Sequence, residues 1–131
     1  MNIQGQAAIV TGGGSGLGEA VARELARLGA KVAVLDVNED GARRVAADIG
    51  GVAVRCDICD TASVNAALDA GELAHGVARI VMNIAGIGTA KRILQKDGTP
   101  APLEDFERVV KVNLIGSYNV TRLAVARIAK L

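Results

Sequence analysis

Tryptophan is absent from this 131-residue chain, and Phe106 and Tyr118 are its only aromatic side chains. Any core must therefore be filled by Val, Ile, Leu and Ala; a hydrophobic fraction of 50% is ample for one domain and argues against disorder. There are only two cysteines, Cys56 and Cys59, and one histidine, His75. A single Cys-x-x-Cys with no second ligand pair argues against a metal or redox site, and both thiols are expected to be free and buried. His75 reads as a surface loop residue, and no metal is expected. No apolar run approaches the roughly 18 residues of a membrane span, and Met1-Asn2-Ile3-Gln4-Gly5 lacks the charged and apolar regions of a secretory leader. An excess of one charge is lacking too. The 15 Lys+Arg and 14 Asp+Glu leave +1, with no basic run of the kind a nucleic-acid surface needs. A soluble, cytoplasmic protein without nucleic-acid or membrane partners is expected.

Glycine, by contrast, is abundant, with 16 residues that punctuate short aliphatic runs. Ala7-Ala8-Ile9-Val10, Val32-Ala33-Val34-Leu35, Val52-Ala53-Val54 and Arg79-Ile80-Val81-Met82 read as strands buried on both faces. Between them, apolar residues recur at helical spacing. Leu17, Val21, Leu25 and Leu28 form one stripe, ended by Gly29. Ala42, Val45, Ala46 and Ile49 form another, between Asn38 as N-cap and Gly50. Asp60 caps a third helix carrying Val64, Ala67 and Leu68, weakened at its last turn by Gly71. A loop of about sixteen residues, Gly86 to Ala101, leads into a long helix at Pro102, with Leu103, Phe106, Val110, Leu114, Thr121, Val125 and Ile128 on one face. Strand and helix alternating with short connections predict a single α/β domain over residues 1–131, built of right-handed βαβ units on a parallel sheet.

Thr11-Gly12-Gly13-Gly14-Ser15-Gly16-Leu17-Gly18 joins the first strand to the first helix. A chain that must turn sharply, admit a diphosphate to its backbone and pack a helix closely on a sheet requires glycines at such positions. N–H groups at the helix start would face the anion, aided by the helix dipole. The spacing is Gly12-x-x-x-Gly16-x-Gly18 rather than the strict G-x-G-x-x-G, and the strand before and the acid downstream make dinucleotide binding the expected chemistry. That acid is Asp36, at the end of the second strand. Its carboxylate would accept both hydroxyls of an adenosine ribose and repel a 2′-phosphate, and neither Val37 nor Ser15 supplies a cation to hold that phosphate. The expected cofactor is NAD rather than NADP.

These residues, with three later motifs, resemble the short-chain dehydrogenase/reductase family. The glycine turn resembles its TGxxxGxG motif, with Gly12, Gly14, Ser15, Gly16, Leu17 and Gly18 at the cofactor. Cys56, Asp57 and Ile58 follow the third strand, Asp57 standing where the family's acid meets the adenine amino group. Asn83-Ile84-Ala85-Gly86 resembles NNAG, with Ile84 in place of the second Asn, and places Asn83, Ala85 and Gly86 at the cofactor. Asn113, beside Val112 in Lys111-Val112-Asn113-Leu114-Ile115-Gly116, matches the helix Asn of the catalytic tetrad. The resemblance implies a Rossmann-type doubly wound sheet in three αβα layers with strand order 3-2-1-4. The inserted segment Lys91-Arg92-Ile93-Leu94-Gln95-Lys96-Asp97-Gly98-Thr99 and the helix after it resemble the type II 3-hydroxyacyl-CoA dehydrogenase branch. A secondary alcohol of an acyl thioester is the implied substrate, and a homo-oligomer, dimer or tetramer, the implied assembly.

The family's catalytic Ser and Tyr-x-x-x-Lys would follow Leu131, so this chain is expected to be the cofactor-binding half and inactive alone. Tyr118-x-x-x-Arg122 does not replace the pair, because it lies five residues after Asn113 on the same helix and Arg cannot relay a proton near neutral pH. Tyr118 reads as a packing residue, and Asn113 as lying on the stripe that faces the sheet with Val110 and Leu114. Ser15, Ser63 and Ser117 lack a nucleophile's setting. The fourth strand, at a sheet edge, is an association hazard. A non-catalytic NAD-binding module and an interaction fragment are the competing functions.

Overall fold

In the computed structural model, which describes residues 2–131, the expected strands are β1 (Ala7–Thr11), β2 (Lys31–Asp36), β3 (Val52–Arg55) and β4 (Ile80–Asn83). Met1, where the expected domain begins, lies outside the described residues. All strand pairs are parallel, in the order β3-β2-β1-β4, with Ile9 opposite both Ala33 and Val81. Strand alternation sends Ile9, Ala33 and Leu35 to one face and Ala8, Val10, Val32 and Val34 to the other, and a separate apolar cluster covers each. The central strands β1 and β2 are therefore buried on both faces, whereas the outer strands β3 and β4, expected to be buried likewise, are only half-buried because each lies at an edge of the sheet.

The helices α1 (Gly16–Arg27) and α2 (Glu39–Ile49) cover one face; α3 (Thr61–His75) and α5 (Ser117–Ile128) cover the other. The predicted caps hold. Asn38 Oδ1 accepts from the Gly41 amide at 3.1 Å, Asp60 Oδ1 from Ala62 at 3.0 Å, and Gly50 ends α2 in the left-handed region at φ 66°. Because β1 lies between β2 and β4, successive connections leave it in opposite directions, and a crevice opens at the strands' C-terminal ends.

Several expectations change. In α1 the buried face is Gly18, Ala22 and Leu25, while Leu17 is 79% exposed and Leu28 also faces outward; small residues let the helix sit closer to the sheet than a leucine stripe would. Gly71 does not interrupt α3; it is buried within the helix, facing Ala33 of the sheet. The helix continues to His75, which is helical rather than in a loop, with its Nε2 buried and unpartnered. The long C-terminal helix is three pieces: α4 (Leu103–Val110), a π-helical turn (Lys111–Gly116) and α5. Its stripe of large apolar residues points away from the sheet, with Leu103, Phe106, Leu114 and Val125 exposed. Gly116, Asn119, Val120 and Ala124 face inward instead. Tyr118 is exposed and packs no core. Both cysteines are free, Cys56 buried and Cys59 half-buried. Among the described residues no helix is long and apolar enough to cross a membrane, and no cluster of His, Cys, Asp or Glu could hold a metal.

Candidate functional site

The glycine turn is fixed by contacts on three sides. Gly12, at φ 66°, lies so close to the chain after β4 that a methyl group there would stand 2.7 Å from the Ala85 Cα. Thr11, fully buried, makes the same junction polar: its hydroxyl accepts from the amides of Ile84 (3.1 Å) and Ala85 (3.2 Å). Gly18 meets the turn itself, since any Cβ would run into the Gly12 carbonyl. Gly13 and Gly14 are buried against Val34 and the start of α2. Gly16 differs, combining a φ of 53° with open space where its side chain would be, on the cleft side of the turn. Ser15 precedes α1 without using its hydroxyl as a cap.

Asp36 braces this arrangement. One carboxylate oxygen accepts from the Gly14 amide and the other from the Asn38 amide, each at 2.9 Å, so the turn is tied to the end of β2. A carboxylate has about four acceptor positions, which leaves capacity on each oxygen. Behind the turn, Arg44 of α2 donates to the Gly14 carbonyl (3.2 Å) and pairs with Glu19 of α1 (2.6 Å), which Arg23 also holds. The Arg44 hydrogen bond, followed by that of Arg23, lowers the Glu19 carboxyl from 4.5 to about 2. The sign follows from linkage: above pH 4.5 Glu19 is ionised in folded and unfolded chains alike, and its pairing contributes fully. As pH falls from 4.5 toward 2 the unfolded chain takes up the proton first, and that contribution is lost. Urea titrations across this range are expected to show a steeper loss of stability for the unaltered chain than for Glu19→Gln.

A cleft of about 440 Å³ opens beside the turn. Its floor is Gly12, Ser15, Gly16, Leu17 and Gly18; one wall is Leu35, Asp36 and Val37 with Cys56, Asp57 and Ile58, and the other Ile84 to Ile87 with Val112. Asp57 is set by the N-terminus of α3, its amide donating to Ser63 Oγ at 2.9 Å. Burial pushes the Cys56 thiol up to about 11, so near neutrality it is an apolar wall atom rather than a nucleophile. Most residues expected at the site thus line one cleft. Gly14, Asn83 and Asn113 do not. Asn83 reaches Thr121 of α5 at 3.0 Å. Asn113 does not lie on a sheet-facing stripe; the π-helical turn presents it to the chain after β4, where it accepts from the Ile87 amide and donates to the Ile87 carbonyl, both at 2.8 Å. Leu35, Ile84 and Ile87 are lining residues that motif matching overlooks. Their signal is positional, since each lies at or just beyond the C-terminal end of a strand flanking the switch point.

The family model described as short chain dehydrogenase matches residues 6–130. The chain belongs to the short-chain dehydrogenase family. Among its relatives, the mitochondrial borneol dehydrogenase of Lavandula x intermedia is 35% identical, over 93% of this chain and 46% of its own length. The 3-hydroxyacyl-CoA dehydrogenase type-2 of Drosophila melanogaster is 37% identical, over 93% of this chain and 49% of its own length. The chain spans about half the length of these relatives. Among solved structures, the 3-ketoacyl-(acyl-carrier-protein) reductase of Brucella melitensis, complexed with NADH, superposes with a TM-score of 0.87. It is 38% identical, over 95% of this chain and 51% of its own. This short-chain dehydrogenase fold has the 3-2-1-4 parallel sheet that the sequence predicts.

Proposed function

We propose that the chain is the cofactor-binding part of an NAD-dependent oxidoreductase that oxidises a secondary alcohol, with a 3-hydroxyacyl thioester as substrate class. The observation that carries the cofactor reading is the open side of Gly16, next to the first amides of α1 and across from the Asp36 carboxylate. A side chain at Gly16 would enter the space a diphosphate needs, and the helix dipole favours an anion there. In this reading the amides of Ser15 to Gly18 hold the diphosphate, and Asp36 takes the adenosine ribose with Val37 beside it. Asp57 meets the adenine between Cys56 and Ile58, and Ala85, Gly86 and Val112 flank the nicotinamide end. When bound, NAD supplies the hydride acceptor; the chain's residues bind and orient it. Asn113 holds the Ile87 backbone and so shapes the wall past Gly86. The substrate class rests on the likeness to 3-hydroxyacyl-CoA dehydrogenase type-2 and on the segment Lys91 to Thr99.

Tyr118 is the chain's one tyrosine, and it stands exposed on α5 outside the cleft. Within these 131 residues no phenol lines the cleft, which supports a second reading for this stretch taken alone: an NAD-binding module without turnover. Calorimetric titration tests the shared core of both readings. NAD is expected to bind with NADP at least tenfold weaker, and no oxidation of a 3-hydroxyacyl-CoA is expected from this chain. Equal affinities would overturn the cofactor assignment, and turnover would overturn the reading of these residues as inactive alone.

A further inference from the structure

Asn119 of α5 is buried, 7% exposed, and lies outside the cleft, yet it touches the cleft wall. Its Nδ2 donates to the Ile58 carbonyl at 2.9 Å. Its Oδ1 accepts from Thr61 Oγ1 at 3.2 Å and from Arg122 Nε and Nη2 at 3.0 and 2.7 Å. Three donors on the oxygen fix which way the amide faces, so the amino group is committed to Ile58. One turn earlier Gly116 leaves room for the Ile58 side chain, where a methyl group would stand 2.6 Å from Cγ1. The C-terminal helix therefore meets one wall residue twice, its backbone through Asn119 of α5 and its side chain through Gly116 at the end of the π-helical turn. Other ties of this connection are Asp57 to Ser63 and Cys59 to Asp57, which are local to it and to α3, the Cys56 amide to the Asp36 carbonyl at 3.0 Å, and Cys59 Sγ to the Lys111 carbonyl of the π-helical turn at 3.5 Å; none of them holds Ile58 itself.

We infer that Asn119 is a positioning residue that sets affinity for the adenine end of the dinucleotide, by fixing the height of the Asp57–Ile58 wall from behind. This rests on the cleft holding NAD. Reversing one donor isolates the effect: Asn119→Asp keeps the shape and the acceptor for Thr61 and Arg122 but turns an oxygen toward the Ile58 carbonyl. In titrations of the full chain, NAD and ADP are expected to bind five- to tenfold more weakly to this variant, while nicotinamide mononucleotide changes less than twofold. Arg122→Met, which leaves Asn119 in place but removes two of the three donors on its oxygen, is expected to show the same split at two- to threefold. It serves if Asn119→Asp does not fold, as judged by circular dichroism. Equal losses for all three ligands, or none, would overturn the inference while leaving the cofactor reading intact. Failure of the unaltered chain to bind NAD and ADP would remove both.

Discussion

Replacing Gly18 with alanine is expected to destabilise the chain by about 3 kcal/mol or more, because the new methyl group meets backbone, not a side chain that can turn aside. The Gly12 carbonyl it strikes belongs to the residue that packs on Ala85, so relief would separate β1 from the chain after β4. Gly16→Ala gives the contrast. Its methyl group has space, and the positive φ costs roughly 1–2 kcal/mol. Urea unfolding followed by circular dichroism is expected to rank Gly18→Ala well below Gly16→Ala in stability. Titration with NAD is expected to show weakened binding in the folded Gly16→Ala chain. Similar stabilities for the two variants would mean that the turn is looser than its contacts indicate.

Asp36→Ala is expected to shrink the preference for NAD over NADP by about a hundredfold. Two like charges about 4 Å apart at an effective dielectric near 20 repel by roughly 4 kcal/mol; a carboxylate at the open edge of a cleft retains part of that, and about 2.7 kcal/mol corresponds to a factor of a hundred. The side chain also accepts from the Gly14 and Asn38 amides, so alanine removes a brace together with a charge. Asp36→Asn separates the two, being neutral yet able to keep one of those bonds. A narrowed ratio in both variants assigns selectivity to charge. A ratio narrowed only in Asp36→Ala assigns it to the shape of the turn, and an unchanged ratio in both removes Asp36 from the account.

How far the sequence foretells this structure depends on which residues face inward. Strands buried on both sides leave no ambiguity of face, so Ala7–Thr11 and Lys31–Asp36 could be read from composition alone. Caps at Asn38 and Asp60 are local hydrogen bonds and were equally legible. Helix faces were harder. In α1 and along the C-terminal helix most inward residues are small or polar, Gly18, Ala22, Gly116, Asn119 and Ala124, with Leu25 and Val120 the larger exceptions, while Leu17, Phe106, Leu114 and Tyr118 look outward. Hydrophobic periodicity follows the largest apolar side chains, and here closeness of approach selects the smallest. The glycine turn and Asp36 were legible because their spacing carries a mechanism. The roles of Asn83 and Asn113 as ties to neighbouring segments depend on contacts 38 and 26 residues apart, which no local pattern records.

The π-helical turn at Lys111–Gly116 acts on the chain as a phase shift. An α-helix advances about 100° per residue, and a π turn takes up one residue more than an α turn would. Were the same six residues wound as α-helix instead, everything downstream would swing by about that angle. Val120 and Ala124 would rotate out of the interior, and Asn119 would lose sight of the loop it grips. The wider winding of this segment, more than the identity of any one side chain within it, keeps the last helix aimed.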